Sequence, residues 1–503
     1  MFRWIIALCG GLAVGGVFGS LALALDTPET VGFAEHGGAY SFSFDDGGAL
    51  SPSPAVVQEK GLLDRLSWRG LLDMTAGADL KDDEPNEHPY DFRNTIRLQA
   101  VLDSVRHGSS STVTASDARW QALVSLQGDY LWMGPEHVND DVRIDFHETS
   151  YLWASKRYEI KLGKQIVRWG KTDQVSPVDN LNPQDGRQFI LYELEDRKLP
   201  SWMARGRVFS DNLTFEGVYL PWFEPALFDY FESDWAVYRQ VREDVREGPL
   251  PPALREYLLA RHVETREPTK TLRNSEFGGR VTATLSGIDV GVSYFYGWED
   301  APYFRSFPIK NFSLDGGYSS ENLLNALSEA VLADEPIRAE HRRQRVIGAE
   351  FETTAGLFGL RGEAAYFDRV SFLATDLTSI RRPVFHYVLG GDYSSPSDWY
   401  ANLQWSHQLI VGSDADILYF DQHDMAVLAE LSRTFWRGRF KAGVKANYNV
   451  GNGSLYLQPE IELKSLKNTE LTLGASFFEG GDRSLFGLYD HNDQVFFRVK
   501  YFL

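Results

Sequence analysis

The sequence predicts an all-β protein: a transmembrane antiparallel β-barrel of about eighteen strands, with long extracellular loops that carry short helices. Three observations carry that prediction. Eighteen segments alternate apolar and polar residues at period two, the pattern of a strand with one greasy and one wet face. The connections between them segregate by length, all the longest on one side and nearly all the tight ones on the other. No second apolar run after the N-terminal one is long enough to cross a bilayer as a helix, yet 14% of the residues are aromatic, as two interfacial girdles require.

Residues 1–24 read as a secretory signal peptide. Arg3 supplies a basic start, Trp4 to Leu23 an apolar run, and Ala22-Leu23-Ala24 a small-residue cleavage site. Cys9 lies inside that run behind Leu8, where a lipoprotein signal wants a small residue, so the mature chain has no thiol chemistry. Residues 25–60 are rich in Gly, Ser, Pro and acidic residues and read as a flexible periplasmic segment. The barrel then occupies 61–503. A net charge of −20 argues against nucleic acid, which needs a basic footprint.

The strand-like segments fall at 65–76, 92–106, 118–132, 145–156, 158–170, 201–210, 212–222, 277–287 and 289–299. They continue at 344–355, 357–368, 383–394, 398–410, 425–436, 439–450, 455–465, 469–479 and 493–503. Their boundaries also admit a count of sixteen. The cleanest pattern is Phe440, Ala442, Val444, Ala446, Tyr448 and Val450 alternating with Lys441, Gly443, Lys445, Asn447 and Asn449. With both termini periplasmic, the upper connections include 171–200, 223–276 and 300–343, while Asp211, Gly356 and Gly438 mark tight lower turns. A soluble sandwich has no reason to sort its loops this way. Closure also removes the edge strands that lipid would punish.

The last stretch, Asp493 to Leu503, puts Val495, Phe497, Val499, Tyr501 and Leu503 on one face and Gln494, Phe496, Arg498 and Lys500 on the other. Its aromatic-x-hydrophobic ending resembles the assembly signal of bacterial outer-membrane barrels, with Leu503 where Phe is commoner. The partners expected are therefore outer-membrane lipid and lipopolysaccharide, the barrel-assembly machinery and a small-molecule solute. An oligomer is compatible with the pattern, and nothing in it specifies one. The inward rows place Arg361, Glu363, Glu430, Lys441, Lys445, Glu460, Glu462, Arg498 and Lys500 along the lumen. Lipid would penalise each of these charges by about 2–4 kcal/mol, so they fix the register. They read either as a lane that filters solutes or as a solvated inner wall.

One local signature stands out at 161–185, K-L-G-K-Q-I-V-R-W-G-K-T-D-Q-V-S-P-V-D-N-L-N-P-Q-D. The basic-L-G-x-Q strand, the following W-G and the N-P-x-D loop resemble a proteobacterial outer-membrane family, domain of unknown function 1302. The matching residues are Leu162, Gly163, Gln165, Trp169, Gly170, Asn182, Pro183 and Asp185. The resemblance implies a large porin-like barrel, in a family associated with hydrophobic or poorly soluble compounds. Independently of it, loop 171–200 holds three prolines and turn-forming Asp179-Asn180 and Asn182-Pro183, which favour an ordered segment. Two readings stay open. Either the loop folds into the barrel and narrows it, with Arg168 among the constriction residues and Gln165 and Asp185 hydrogen-bonding strand to loop, or it is a packed corner that meets no solute.

Ser319 to Asn322 ahead of Leu323, Leu324, Leu327 and Val331 predicts a capped helix in an outer loop, and Trp235–Arg246 and Ala253–His262 carry weaker helical stripes. Other patterns decline chemistry. Gly163 to Thr172 imitates a phosphate loop, but its glycines are too far apart and no helix follows. His147-Glu148 lacks the second histidine of a zinc protease, and no G-x-S-x-G elbow exists. Acidic groups at Asp140-Asp141, 421–424 and 490–493 offer oxygen to divalent cations at the outer rim but lack calcium-loop spacing, so they read as solvated tips. No metal, cofactor or catalytic residue is assigned. The reading is a passive porin-like channel for small solutes, including hydrophobic ones. The alternative is an enzyme or binding protein that works through the outer loops, where His137, His423 and His491 lie.

Overall fold

The computed structural model describes residues 65–81, 90–104, 118–133, 142–231, 233–236, 239, 245–246, 249–313, 326–327, 330–412, 417, 420–481 and 484–503. The signal-peptide and leader readings (1–60), His137, Asp140-Asp141 and most of the 319–331 helix fall outside these residues.

Eighteen strands form one sheet. In chain order they are β1 (Leu66–Asp79), β2 (Tyr90–Asp103), β3 (Arg119–Trp132), β4 (Val142–Ala154), β5 (Tyr158–Gln165), β6 (Ser201–Ser210), β7 (Leu213–Leu220), β8 (Glu276–Leu285) and β9 (Ile288–Trp298). There follow β10 (Arg343–Ala355), β11 (Phe358–Leu373), β12 (Ser379–Ser394), β13 (Trp399–Ile410), β14 (His423–Phe435), β15 (Phe440–Asn449), β16 (Leu455–Leu466), β17 (Thr469–Glu479) and β18 (Gln494–Phe502). Each pairs antiparallel with the next, and β18 returns to β1 from Leu71↔Phe502 to Asp79↔Gln494. The sheet is closed, and the count is eighteen rather than sixteen.

The two faces differ as a membrane demands. Outward positions such as Ile144, Val292, Leu403, Ile461 and Leu473 are largely exposed. So much contiguous apolar surface is untenable in water and natural in lipid. Aromatic rings gather near both ends of the strands: Phe358–Tyr393 and Phe435–Phe440 near the tight turns, Phe92–Trp132 and Phe277–Tyr296 toward the long loops. Inward positions carry the polar set, among them Gln99, Glu363, Gln404, Glu430 and Lys445, all buried. At the lower end Ser286 and Gly287 join β8 to β9 with φ of 52° and 84°. Positive φ at both residues matches the strand twist in a two-residue hairpin.

The outer loops contribute a helix, Pro252–Leu259, overlapping the weaker stripe expected at 253–262. They also form a three-stranded sheet from Val263–Arg266, Tyr303–Ser306 and Ile337–Glu340. Phe304, Phe312, Leu327, Leu373 and Leu377 make an apolar cluster in this region.

One element departs from the sequence expectation. β5 was expected to run to 170, and it stops at Gln165. Gly163 has φ +129°, and beyond Gln165 the backbone finds partners outside the ladder. The Val167 N–H donates to Asn182 Oδ1 (2.8 Å) and the Trp169 N–H to Asp179 Oδ1 (3.1 Å). The apolar alternation Ile166–Val167–Trp169 mimics a strand, but loop side chains take the hydrogen bonds a strand would need.

Candidate functional site

The segment 166–200 begins where β5 ends and lies inside the barrel. Its root is a hydrogen-bond knot. The Gln165 side chain, fully buried, donates to Lys161 O and Met203 O, both at 3.1 Å, so it ties β5 to β6 rather than to the loop. Asn182 makes the loop connection, donating to Gln165 O and Leu199 O (both 3.0 Å) while accepting from Val167. Pro183 O accepts from Leu199 N (2.8 Å). Lys198 Nζ reaches Asp179 Oδ2 (2.6 Å) and Val167 O (3.0 Å), and both side chains of that pair are 2% exposed. Burial lowers the Lys198 pKa against the pull of Asp179. Arg168 donates to Thr172 O (2.7 Å) and so stays within the loop.

From this root the segment reaches walls on every side. Trp169 Nε1 donates to Glu216 on β7 (2.9 Å), and its ring lies where a side chain on Gly278 of β8 would otherwise go. Glu363 on β11 accepts from the Thr172 N–H (2.6 Å), the Thr172 hydroxyl (2.7 Å), the Ser176 hydroxyl (2.7 Å) and the Lys171 N–H. Gly170, at φ +98°, permits that approach, since a Cβ there would sit 2.5 Å from Glu363 Oε1. Arg361 pairs with Asp173 (2.5 Å) and with Asp392, and Asn402 of β13 donates to Asp173 Oδ2 (2.6 Å). Val175 packs with Val388 and Leu428 of β12 and β14.

The far half of the loop meets the opposite wall. Arg93 of β2 and the loop's own Arg187 both pair with Asp185, at 3.0 and 2.8 Å. Burial alone would raise the Asp185 carboxyl, but the two guanidinium groups override it and hold it well below the carboxylate range. Asp196 bonds Arg498 (2.6 Å) and Lys500 (3.2 Å) of β18, and it too is strongly depressed despite burial. Lys445 of β15 pairs with Glu193. Phe189 stacks on Tyr489 (4.2 Å) in a cluster with Phe478, Tyr456 and Trp235.

The structure therefore gathers Gly163, Gln165, Trp169, Gly170, Asn182 and Pro183 at the root, and Asp185, two residues beyond Pro183, carries the contact to Arg93 of β2. Among the expected lumen residues, Arg361, Glu363, Lys445, Arg498 and Lys500 grip the loop. The others pair along the wall: Lys441 with Glu430 (3.8 Å), Lys445 also with Glu460 (3.8 Å), and Glu462 with Lys464 (3.3 Å). Sequence reasoning missed Arg93, Asp173, Asp179, Glu193, Asp196 and Lys198. The charge run E-L-E-D-R-K at 193–198 was the one available signal. Among the described residues, no group of three or more His, Cys, Asp or Glu is placed to hold a metal. What the site offers is fixed charge, hydrogen bonds and obstruction.

A closed antiparallel barrel with an apolar outer band, aromatic girdles and a polar interior is an outer-membrane-type, porin-like barrel. The chain belongs to the family described as "Protein of unknown function (DUF1302)", whose model matches residues 141–439. No curated protein matches it. Similar solved structures include a mutant of the Rh. blastica porin (10% identity, 87% of this chain and 100% of that chain, TM-score 0.37). Others are Salmonella typhi OmpF in complex with daunomycin (10%, 87% and 97%, 0.39) and the outer membrane channel DcaP of Acinetobacter baumannii (8%, 87% and 97%, 0.39).

Proposed function

We propose that the protein is a passive channel for small solutes in the Gram-negative outer membrane, and that segment 166–200 sets the width and charge of its lumen. The observation that supports this most is the bonding of one inward-folded segment to β2, β7, β11, β13, β15 and β18. A strut anchored on so many walls narrows the barrel at that level. Its carboxylates and the wall's Arg and Lys then present ordered charges to whatever passes. The outward rows contact lipid and lipopolysaccharide, and the C-terminal strand engages the assembly machinery.

Single-channel recording of the refolded chain from Leu25 onward tests this. Steady, salt-dependent current steps are expected, and deleting 174–184 should raise the conductance. An unchanged conductance in the deletion would remove the constriction. Silence from both proteins, with the barrel shown to be folded, would remove the channel.

A further inference from the structure

The barrel wall is not laddered throughout. β4 pairs with β3 along nearly its whole length, up to Tyr130↔Val142, but with β5 only from Thr149↔Lys164 to Ala154↔Glu159. Because β5 turns inward at Gln165, residues 142–148 of β4 have, among the described residues, no strand beside them on that edge. Among the described residues, no backbone group of 142–148 finds a backbone partner there. This edge lies at lipid depth. Val142, Ile144 and Phe146 point outward and are exposed, Ile144 by 77%, and Ile144 and Phe146 pair with β3 below the level of Trp132 of the upper girdle.

Unpaired backbone cannot face hydrocarbon, where each unsatisfied group costs several kcal/mol. At membrane depth it is tolerated only against protein or a water-filled space. What bridges the seam is side chains. Lys164 Nζ meets Asp145 Oδ2 at 2.7 Å, and Glu148 Oε1 accepts from the Ile166 N–H at 3.1 Å. Partly exposed ion pairs of this kind contribute little compared with a backbone ladder.

We infer that the seam between β4 and the end of β5 is a side portal, through which amphipathic or lipophilic solutes pass between the lumen and the outer leaflet. This deepens the channel reading and rests on it, because the portal needs a lumen to open into. The apolar Ile144 and Phe146 line its lipid side, and Arg143, Asp145 and Lys164 line its wet side. A solute with a polar head and an apolar tail meets both. The Lys164–Asp145 pair is the latch.

Two measurements on the refolded chain from Leu25 onward, which holds no cysteine of its own, decide it. In the first, Ile144→Cys is compared with Leu403→Cys, which lies on a fully laddered outward row. Reaction with a charged, water-soluble methanethiosulfonate should be at least about tenfold faster at 144, since water reaches that edge. Equal slow rates would overturn the portal. In the second, Asp145→Cys with Lys164→Cys is bridged by a short bismaleimide, and transfer of a pyrene-labelled fatty acid into lipopolysaccharide-containing vesicles is followed beside ionic conductance. Bridging should abolish most protein-dependent transfer and leave conductance within about twofold. Transfer that bridging does not change would also overturn the portal. Transfer sensitive to bridging in a protein without conductance would support the portal and sink the passive-channel reading instead.

Discussion

Gly163, two residues before β5 ends, shows how one position sets the backbone at the root of a loop. Its φ of +129° is closed to side chains, and a Cβ there would lie 2.2 Å from Thr149 O. Gly163→Ala should cost on the order of 1–3 kcal/mol and loosen the loop root, whereas Gly206→Ala on β6, with open space around it, serves as control. Urea midpoints of the refolded proteins, read by tryptophan fluorescence, measure the difference, and equal midpoints would refute the strain argument. Gly170 acts similarly, opening the Glu363 cradle to the Lys171 and Thr172 N–H groups. The L-G-x-Q and W-G spacings were therefore legible as a signature. Their mechanical reason was not, because it depends on Thr149 and Glu363, which no local pattern connects to them.

At the scale of the element, two of the acids that hold segment 166–200, Asp185 and Asp196, are depressed by their cationic partners, and this shapes its response to pH. Asp185 and Asp196 bind protons more weakly in the folded loop than in the unfolded chain. Their stabilisation is complete above the ordinary carboxylate pKa of about 4 and fades only as pH falls through the lower folded values. The loop should stay protease-resistant at pH 5 and become cleavable well below pH 4. Cleavage already at pH 6 would contradict the assignment of these pairs. Strand existence was readable from period-two alternation for all eighteen strands, since lipid on one side and water on the other force it. The β5 end was misread because Ile166, Val167 and Trp169 are apolar for a different reason: Val167 and Trp169 are buried with Val178 and Leu181 inside the barrel rather than set against lipid. The partners of Asp173 and Asp196 were beyond reach, lying far along the chain in walls with no fixed spacing to the loop.

For the whole molecule, closure rests on the β1–β18 seam. Leu503 N donates to Gly70 O (2.9 Å), and Arg498 bonds Asp73 across the same seam (2.8 Å). Removing 494–503 leaves two unpaired edges that neither water-poor lipid nor the lumen can satisfy. The truncated chain should fail to give the heat-modifiable, fast-migrating form on electrophoresis that the full chain gives. A normal fast-migrating band from the truncated chain would show that closure does not depend on this strand.

The contacts of Asp196 carry a further consequence. Its partners Arg498 and Lys500 belong to the last strand, while Arg93, which holds Asp185, belongs to the second. The segment leaves the wall after the fifth strand, yet its seat draws on both ends of the chain's sheet and is complete only in the closed cylinder. The β1–β18 seam thus serves twice, joining the sheet to itself and completing the lock on the interior.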